Sequence, residues 1–208
     1  MIRIKRKINK EEVAQMTPVV FNGRIIVIQT EAEADKAVDY LLAQKVVGVD
    51  TETRPSFTRG HIHKVALLQV STEDTCFLFR VNMIGLCPSI VRFLEDKSLL
   101  KIGLSLKDDF CSLHRRSDFH VGDFVELQSL VREVGIEEMS LQKVYAILFG
   151  ERISKSQRLS NWEADVLNSK QKMYAAIDAW ACVKIYQRLM ELQASGEYEL
   201  EALPEEEV

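Results

Sequence analysis

The run Val46-Val47-Gly48-Val49, leading at once into Asp50-Thr51-Glu52, constrains the fold more than any other stretch. β-Branched residues favour extended backbone, and a strand that is apolar at successive positions belongs inside a sheet covered on both faces. The segment therefore reads as a central strand. Residues 24–28, 65–70, 76–79 and 100–104 supply further strands, and the turn Ser71-Thr72-Glu73-Asp74 predicts a hairpin. Thr30 and Glu33 open a helix in capping-box style, with apolar residues recurring at Ala34, Ala37, Val38, Leu41 and Leu42. Helices are also predicted over 86–94, 106–116, 141–149 and 169–192, with Ser140 capping the third and Gly150 ending it. The predicted class is α/β, with one mixed sheet flanked by helices.

A chain of 208 residues, 47% hydrophobic and 28% charged, fits one folded domain with attachments and excludes a collagenous or wholly disordered chain. Residues 1–20 read as a basic arm, 21–193 as the folded domain and 194–208 as an acidic, disordered tail. Net charge is −4, but the seven glutamates from Glu191 onward carry no basic partner, and without them 27 basic residues face 24 acidic ones. The body is thus mildly basic and compatible with a polyanion. No apolar run is long enough to span a bilayer, and no apolar stretch follows the basic N-terminus as a secretory signal requires. The four cysteines form no CxxC pair, so the expected setting is the reducing cytoplasm, with neither a zinc site nor a disulfide framework.

Four carboxylates stand out by position. Asp50 and Glu52 are two apart on a strand and share a face, at the end of an apolar run. Like charges so held repel unless a cation lies between them. On the helix over 169–192, Tyr174, Asp178, Ala181 and Ile185 fall in one stripe that is otherwise small and apolar, so Asp178 is expected to face inward. The apolar face set by Leu106, Phe110 and Leu113 leaves Asp108 toward solvent and Asp109 at the core margin, about 65° from the centre of that face. Gathered at one point, these oxygen ligands suit Mg²⁺ or Mn²⁺. His61 and His63 lie in a basic stretch, Arg59 to Lys64, and read as solvated or phosphate-facing.

Three motifs carry a resemblance: Asp50-Thr51-Glu52, the stretch Lys101 to Asp109 with its aspartate six positions after Gly103, and Tyr174 to Asp178 as YxxxD. In this order the sequence resembles the DEDD superfamily of 3′–5′ exonucleases, in its tyrosine-containing (DEDDy) branch. Leu159-Ser160-Asn161-Trp162 and Ser140-Leu141 make it similar to ribonuclease D and the Werner-syndrome exonuclease domain in particular. The resemblance covers roughly residues 22–192. It implies a ribonuclease H-like fold and hydrolysis of phosphodiester bonds from the 3′ end of DNA or RNA, releasing nucleoside 5′-monophosphates. It also implies two divalent ions, Mg²⁺ or Mn²⁺, held by Asp50, Glu52, Asp109 and Asp178, with Tyr174 orienting the attacking water. Thr51, Phe57, Lys64, Lys155 and Arg158 are expected to meet the nucleic-acid strand. The helical nucleic-acid-binding domain that follows the exonuclease in ribonuclease D is not expected here. Three readings compete: a catalytically weak or inactive nucleic-acid-binding module on the same fold, an endonuclease of the ribonuclease H type, and acids that are mere surface charge.

Overall fold

The computed structural model describes residues 2–60 and 62–201. In chain order its elements are β1 (Ile2–Ile4), α1 (Lys10–Gln15), β2 (Thr17–Pro18), β3 (Arg24–Ile28), α2 (Glu31–Leu42), β4 (Val46–Glu52), β5 (Leu67–Ser71), β6 (Thr75–Phe79), α3 (Val81–Ile84), α4 (Pro88–Glu95), β7 (Leu100–Gly103), α5 (Leu106–Leu113), β8 (Phe124–Glu126), α6 (Leu127–Glu133), α7 (Leu141–Phe149), β9 (Glu151–Arg152), α8 (Ser169–Ser195) and β10 (Tyr198–Leu200). Six strands form one sheet in the order β3-β6-β5-β4-β7-β8. β5 runs antiparallel to β4 and β6, and the other neighbours are parallel, so the sheet is mixed as predicted.

β4 sits inside the sheet because both its faces are apolar. Val47 and Val49 join the core built with α2, α4 and α5, alongside Val38, Phe93 and Leu106. On the other side, Leu67, Leu78 and Ile102 pack against Ala175, Ala181 and Ile185 of α8. Gly48 lets these layers approach: a Cβ built there would lie 1.9 Å from the Ala179 carbonyl oxygen. The helix backbone therefore rests on the strand. Gly48→Ala is expected to cost about 1–3 kcal/mol, since overpacking forces backbone shifts. A lower urea midpoint at constant m-value would show it, whereas a wild-type midpoint would mean the close approach is dispensable.

The helix starts follow local chemistry. Thr30 and Glu33 form the predicted capping box of α2, and Asn168 and Gln171 form a second one at α8. Gly150 ends α7 at φ 69°. Ser140 occupies the N-cap position of α7 but makes no capping bond with its side chain, contrary to expectation.

The two ends also differ from the sequence reading. Residues 198–200 are strand β10, paired in parallel with β1, rather than disordered tail. Ile4 is buried beneath this pairing, and Leu200 packs against the same core, which gives the segment apolar surface to bury. The remainder of the predicted tail, 202–208, lies outside the described residues, as does His61. The basic arm is likewise tied down: Ile8 is buried, Lys5 pairs with Glu12, and Arg6 and Lys7 pair with Glu137.

Candidate active site

The close approach at Gly48 fixes where acids meet. Asp178 precedes Ala179 on α8, so the helix backbone resting on β4 delivers its carboxylate to the strand's C-terminal end. Asp50, Glu52 and Asp178 each place a carboxylate oxygen so that these atoms lie within 4.8 Å of one another. Asp178 is only 3% exposed, and its Oδ1 has no hydrogen-bond partner among the described residues. The Tyr174 hydroxyl, one turn earlier, hydrogen-bonds to the same carboxylate. Tyr174 is held by the fully buried Trp162, whose ring centre lies 6.0 Å away.

Asp109 stands beside this trio, outside the 4.8 Å group. It is half-buried at the start of α5 while Asp108 is exposed, as the helical wheel requires. The Thr51 hydroxyl donates to Asp109 Oδ1, so Thr51 is engaged within the acid scaffold. The start of α5 has an unforeseen support. Ser105 adopts a left-handed conformation at φ 65°, which a non-glycine residue adopts only when its surroundings enforce it. The Glu126 carboxylate, at the end of β8, accepts the Ser105 N–H at 2.7 Å and the Leu106 N–H at 2.9 Å. Glu126 thus caps the helix that carries Asp109, and a capping carboxylate suits a helix N-terminus.

The electrostatics follow from burial of like charges. Burial, reinforced by Asp109, Asp178 and Glu52, holds the Asp50 carboxyl well above the usual carboxylate range. Burial and the charges of Asp178 and Asp109 push Glu52 up to about 9, against the pull of Arg158. Asp178 rises to about 7 through burial, opposed by the Tyr174 hydrogen bond and by Lys155. Asp109 rises to about 6, again chiefly through burial, with the Thr51 hydrogen bond opposing. Burial beside these acids also pushes the Tyr174 phenol upward, so it remains a donor.

A divalent cation fits this site. Its donors are hard oxygens, the crowded carboxylates lack a compensating charge within the trio, and the unpartnered Asp178 Oδ1 needs a positive neighbour.

The residues predicted to meet a strand surround this centre unequally. Lys155 and Arg158 are exposed on the loop before α8, and their charges act on Asp178 and Glu52 respectively. Phe57 is 86% exposed, and Lys64 is exposed on the same loop. That loop is fastened to the segment before α8, where Glu163 pairs with Arg54 at 3.3 Å and with His63 at 3.1 Å. His63 is therefore paired within the protein, where the sequence predicts a solvated or phosphate-facing residue. The buried Arg80 steadies the same segment by donating to the Ala164 and Asp165 carbonyls. Beside the carboxylates opens a cleft of about 490 Å³, walled by Asp50, Asp178, Arg158, Ser105, Gln128 and Ser140 among others. Ser105, Gln128 and Glu126 had no signal in the sequence, because the left-handed turn that gathers them is a property of the fold.

Comparison with known proteins agrees with the geometry. The model of a 3′–5′ exonuclease family matches residues 25–193. The mouse bifunctional 3′–5′ exonuclease/ATP-dependent helicase WRN is 35% identical over 150 residues, 69% of this chain and 11% of that protein. A 3′–5′ exonuclease of Arabidopsis thaliana is 29% identical over 188 residues, 83% of this chain and 65% of that protein. The chain thus spans about a tenth and just under two-thirds of these relatives. In fold it matches the crystal structure of the Aedes aegypti Nibbler EXO domain with a TM-score of 0.78 at 18% identity, over 87% of this chain and 95% of that one.

Proposed function

The chain belongs to the 3′–5′ exonuclease family, and from that premise we propose that it removes nucleotides from the 3′ end of nucleic acid, with residues 21–193 as the exonuclease domain of the tyrosine-containing branch. The observation that carries the reading is the convergence of Asp50, Glu52 and Asp178 from a strand end and a distant helix. Mere surface charge does not gather this way, and an inactive binding module has no need of a full set of acids.

Asp50, Glu52 and Asp178 would hold one divalent ion, Mg²⁺ or Mn²⁺, with Asp50 shared and Asp109 supporting a second. When bound, such ions activate water and stabilise the leaving oxygen. Tyr174, kept protonated and anchored to Asp178, orients the attacking water rather than deprotonating it. Water adds to phosphorus, the bond to the 3′ oxygen of the penultimate nucleotide breaks, and a nucleoside 5′-monophosphate leaves. Asp109 is kept in place by Thr51 and by the Glu126 cap on α5. Arg158 and Lys155 draw the polyanion toward an otherwise acidic centre, with Phe57 and Lys64 on the facing loop. No helix among the described residues is long and apolar enough to cross a membrane. We place the protein in the cytoplasm on the strength of its unpaired cysteines.

Digestion of 3′-labelled and 5′-labelled DNA and RNA oligonucleotides tests this. The expected result is ladder shortening from the 3′ end that requires Mg²⁺ or Mn²⁺, with labelled mononucleotide as the first product. Arg158→Ala is expected to reduce the salt slope of binding by about one. Internal cuts, release from the 5′ end, or cleavage indifferent to metal would each defeat the proposal.

A further inference from the structure

We propose, resting on the exonuclease reading, that Gln69 is a positioning residue of this site: its side-chain amide donates to the Asp50 carboxylate and fixes the orientation in which Asp50 meets its divalent ions. Among the described residues, the buried side-chain atoms without a hydrogen-bond partner are Trp162 Nε1, Asp178 Oδ1 and both amide atoms of Gln69. Trp162 lies against Tyr174, and Asp178 belongs to the acid trio. Gln69 is 0% exposed and interrupts the apolar run of β5, between Leu67, Leu68 and Val70. A buried amide with nothing to bond costs free energy that an apolar side chain of similar size would avoid. The cost points to a partner that the amide meets in the working protein.

The sheet register names that partner. Gln69 stands directly opposite Asp50 of β4 on one side and Leu78 of β6 on the other. Directly opposed residues project from the same face, with Cβ atoms about 5 Å apart. The face is the one beneath α8. Leu68 and Val70 join the far core with Val47 and Val49, which leaves Gln69 and Asp50 on the side of Leu67 and Leu78. Asp50 is therefore the polar side chain directly beside the amide. Rotation about the glutamine's own bonds can bring Nε2 to the carboxylate without moving a strand.

The residue type suits the task. Asp50 is the acid shared between the two ions, so its orientation bears on both. A carboxylate has lone pairs for a donor as well as for its ions, and such outer hydrogen bonds orient a ligand. A neutral amide supplies the donor without competing for the site. A lysine in its place would bring a positive charge to the oxygens that the cation needs, and a leucine would leave the Asp50 carboxylate free to turn. Gln69 touches neither ion nor substrate and acts through Asp50.

The test measures Mn²⁺ binding to the full chain by calorimetry, melting in EDTA, and the Mn²⁺ dependence of oligonucleotide hydrolysis, for wild type, Gln69→Met, Gln69→Leu and Leu78→Val. Both Gln69 variants remove the donor, and the leucine carries the test should the methionine pack badly. Leu78→Val trims the packing on the other side of Gln69 and keeps the amide. Loss of the donor is expected to weaken Mn²⁺ binding by about 10–100-fold and to raise the half-saturating Mn²⁺ for hydrolysis by the same factor, with excess Mn²⁺ recovering most of the rate. In EDTA the better-packed Gln69 variant should melt no lower than wild type, because an unpaired amide has been replaced by apolar atoms. Leu78→Val should melt lower and bind Mn²⁺ as wild type does. Wild-type Mn²⁺ affinity in either Gln69 variant overturns the inference. So does an equal loss of affinity in Leu78→Val, which would make the effect one of packing. Hydrolysis whose Mn²⁺ dependence survives loss of the amide sinks only the role of Gln69. Mn²⁺ binding that needs the amide, in a wild type that hydrolyses no strand, sinks the exonuclease reading and leaves the positioning of Asp50 standing.

Discussion

Asp178→Asn is expected to abolish hydrolysis and, at pH 8 without metal, to raise the melting temperature. The two effects share one cause. The substitution keeps the shape of a side chain that is 3% exposed but removes its charge from a cluster with Asp50 and Glu52. For catalysis this deletes a charged ligand for the activating ion, so activity should fall at least about 10³-fold, roughly 4 kcal/mol. For the metal-free fold it removes repulsion. Asp178 is raised from 3.8 to about 7, so holding it ionised at pH 8 costs about 2–4 kcal/mol. The asparagine oxygen can still accept from Tyr174 while its NH₂ faces the neighbouring carboxylates. The gain is roughly 5–15 °C for a chain of this size, read by calorimetry in EDTA. At pH 5 wild-type Asp178 is already protonated and the gain should vanish. An Asp178→Asn protein with wild-type turnover, or one that melts lower than wild type at pH 8, would show that the cluster is not a strained, metal-seeking centre.

The acids of this centre were legible because strand and helix periodicities are local. Asp50 and Glu52 share a face in any β-strand, and the small-apolar stripe around Asp178 has one way to pack. Gly48 sits inside the run that marks the central strand, but its purpose, admitting the Ala179 carbonyl, needs the partner helix to be in place. The supports of Asp109 were hidden for the same reason. Glu126 lies 17 residues downstream of Asp109, and nothing in the sequence says that its carboxylate replaces the missing side-chain cap at Ser105. Ser140 shows the converse: a serine before a helix reads as a cap, and it does occupy the N-cap of α7, yet its hydroxyl makes no capping bond. At the ends, burial outweighs charge. Ile4, Ile8 and Leu200 outweigh the glutamates and lysines around them, so a segment that looks like tail becomes strand.

Metal-free protein should lose stability from pH 5 to pH 9, and divalent ions should restore it. The sign follows from proton uptake. A carboxyl whose pKa is raised by folding keeps its proton to a higher pH in the native chain than in the unfolded one. Between about pH 4 and the native pKa the folded state therefore binds more protons, and stability declines with rising pH across that window. Asp109, at about 6, finishes first, then Asp178 at about 7 and Glu52 at about 9. Asp178 alone, titrating at about 7, loses roughly two pH units' worth of stability between pH 5 and 7, about 3 kcal/mol, which is close to 10 °C here. A fall of at least that size is expected in EDTA between pH 5 and pH 9. Mn²⁺ at about a hundred times its Kd returns roughly 3 kcal/mol by binding the native state. Because the ion competes with protons for the same oxygens, its affinity should rise steadily over the range and the recovery should be greatest at pH 9. Asp50→Asn combined with Asp178→Asn removes two of the interacting charges, and should flatten both the pH dependence and the response to Mn²⁺. Equal melting temperatures at pH 5 and pH 9 in EDTA, or a Mn²⁺ shift as large at pH 5 as at pH 9, would mean that these carboxyls are not crowded together as the structure places them.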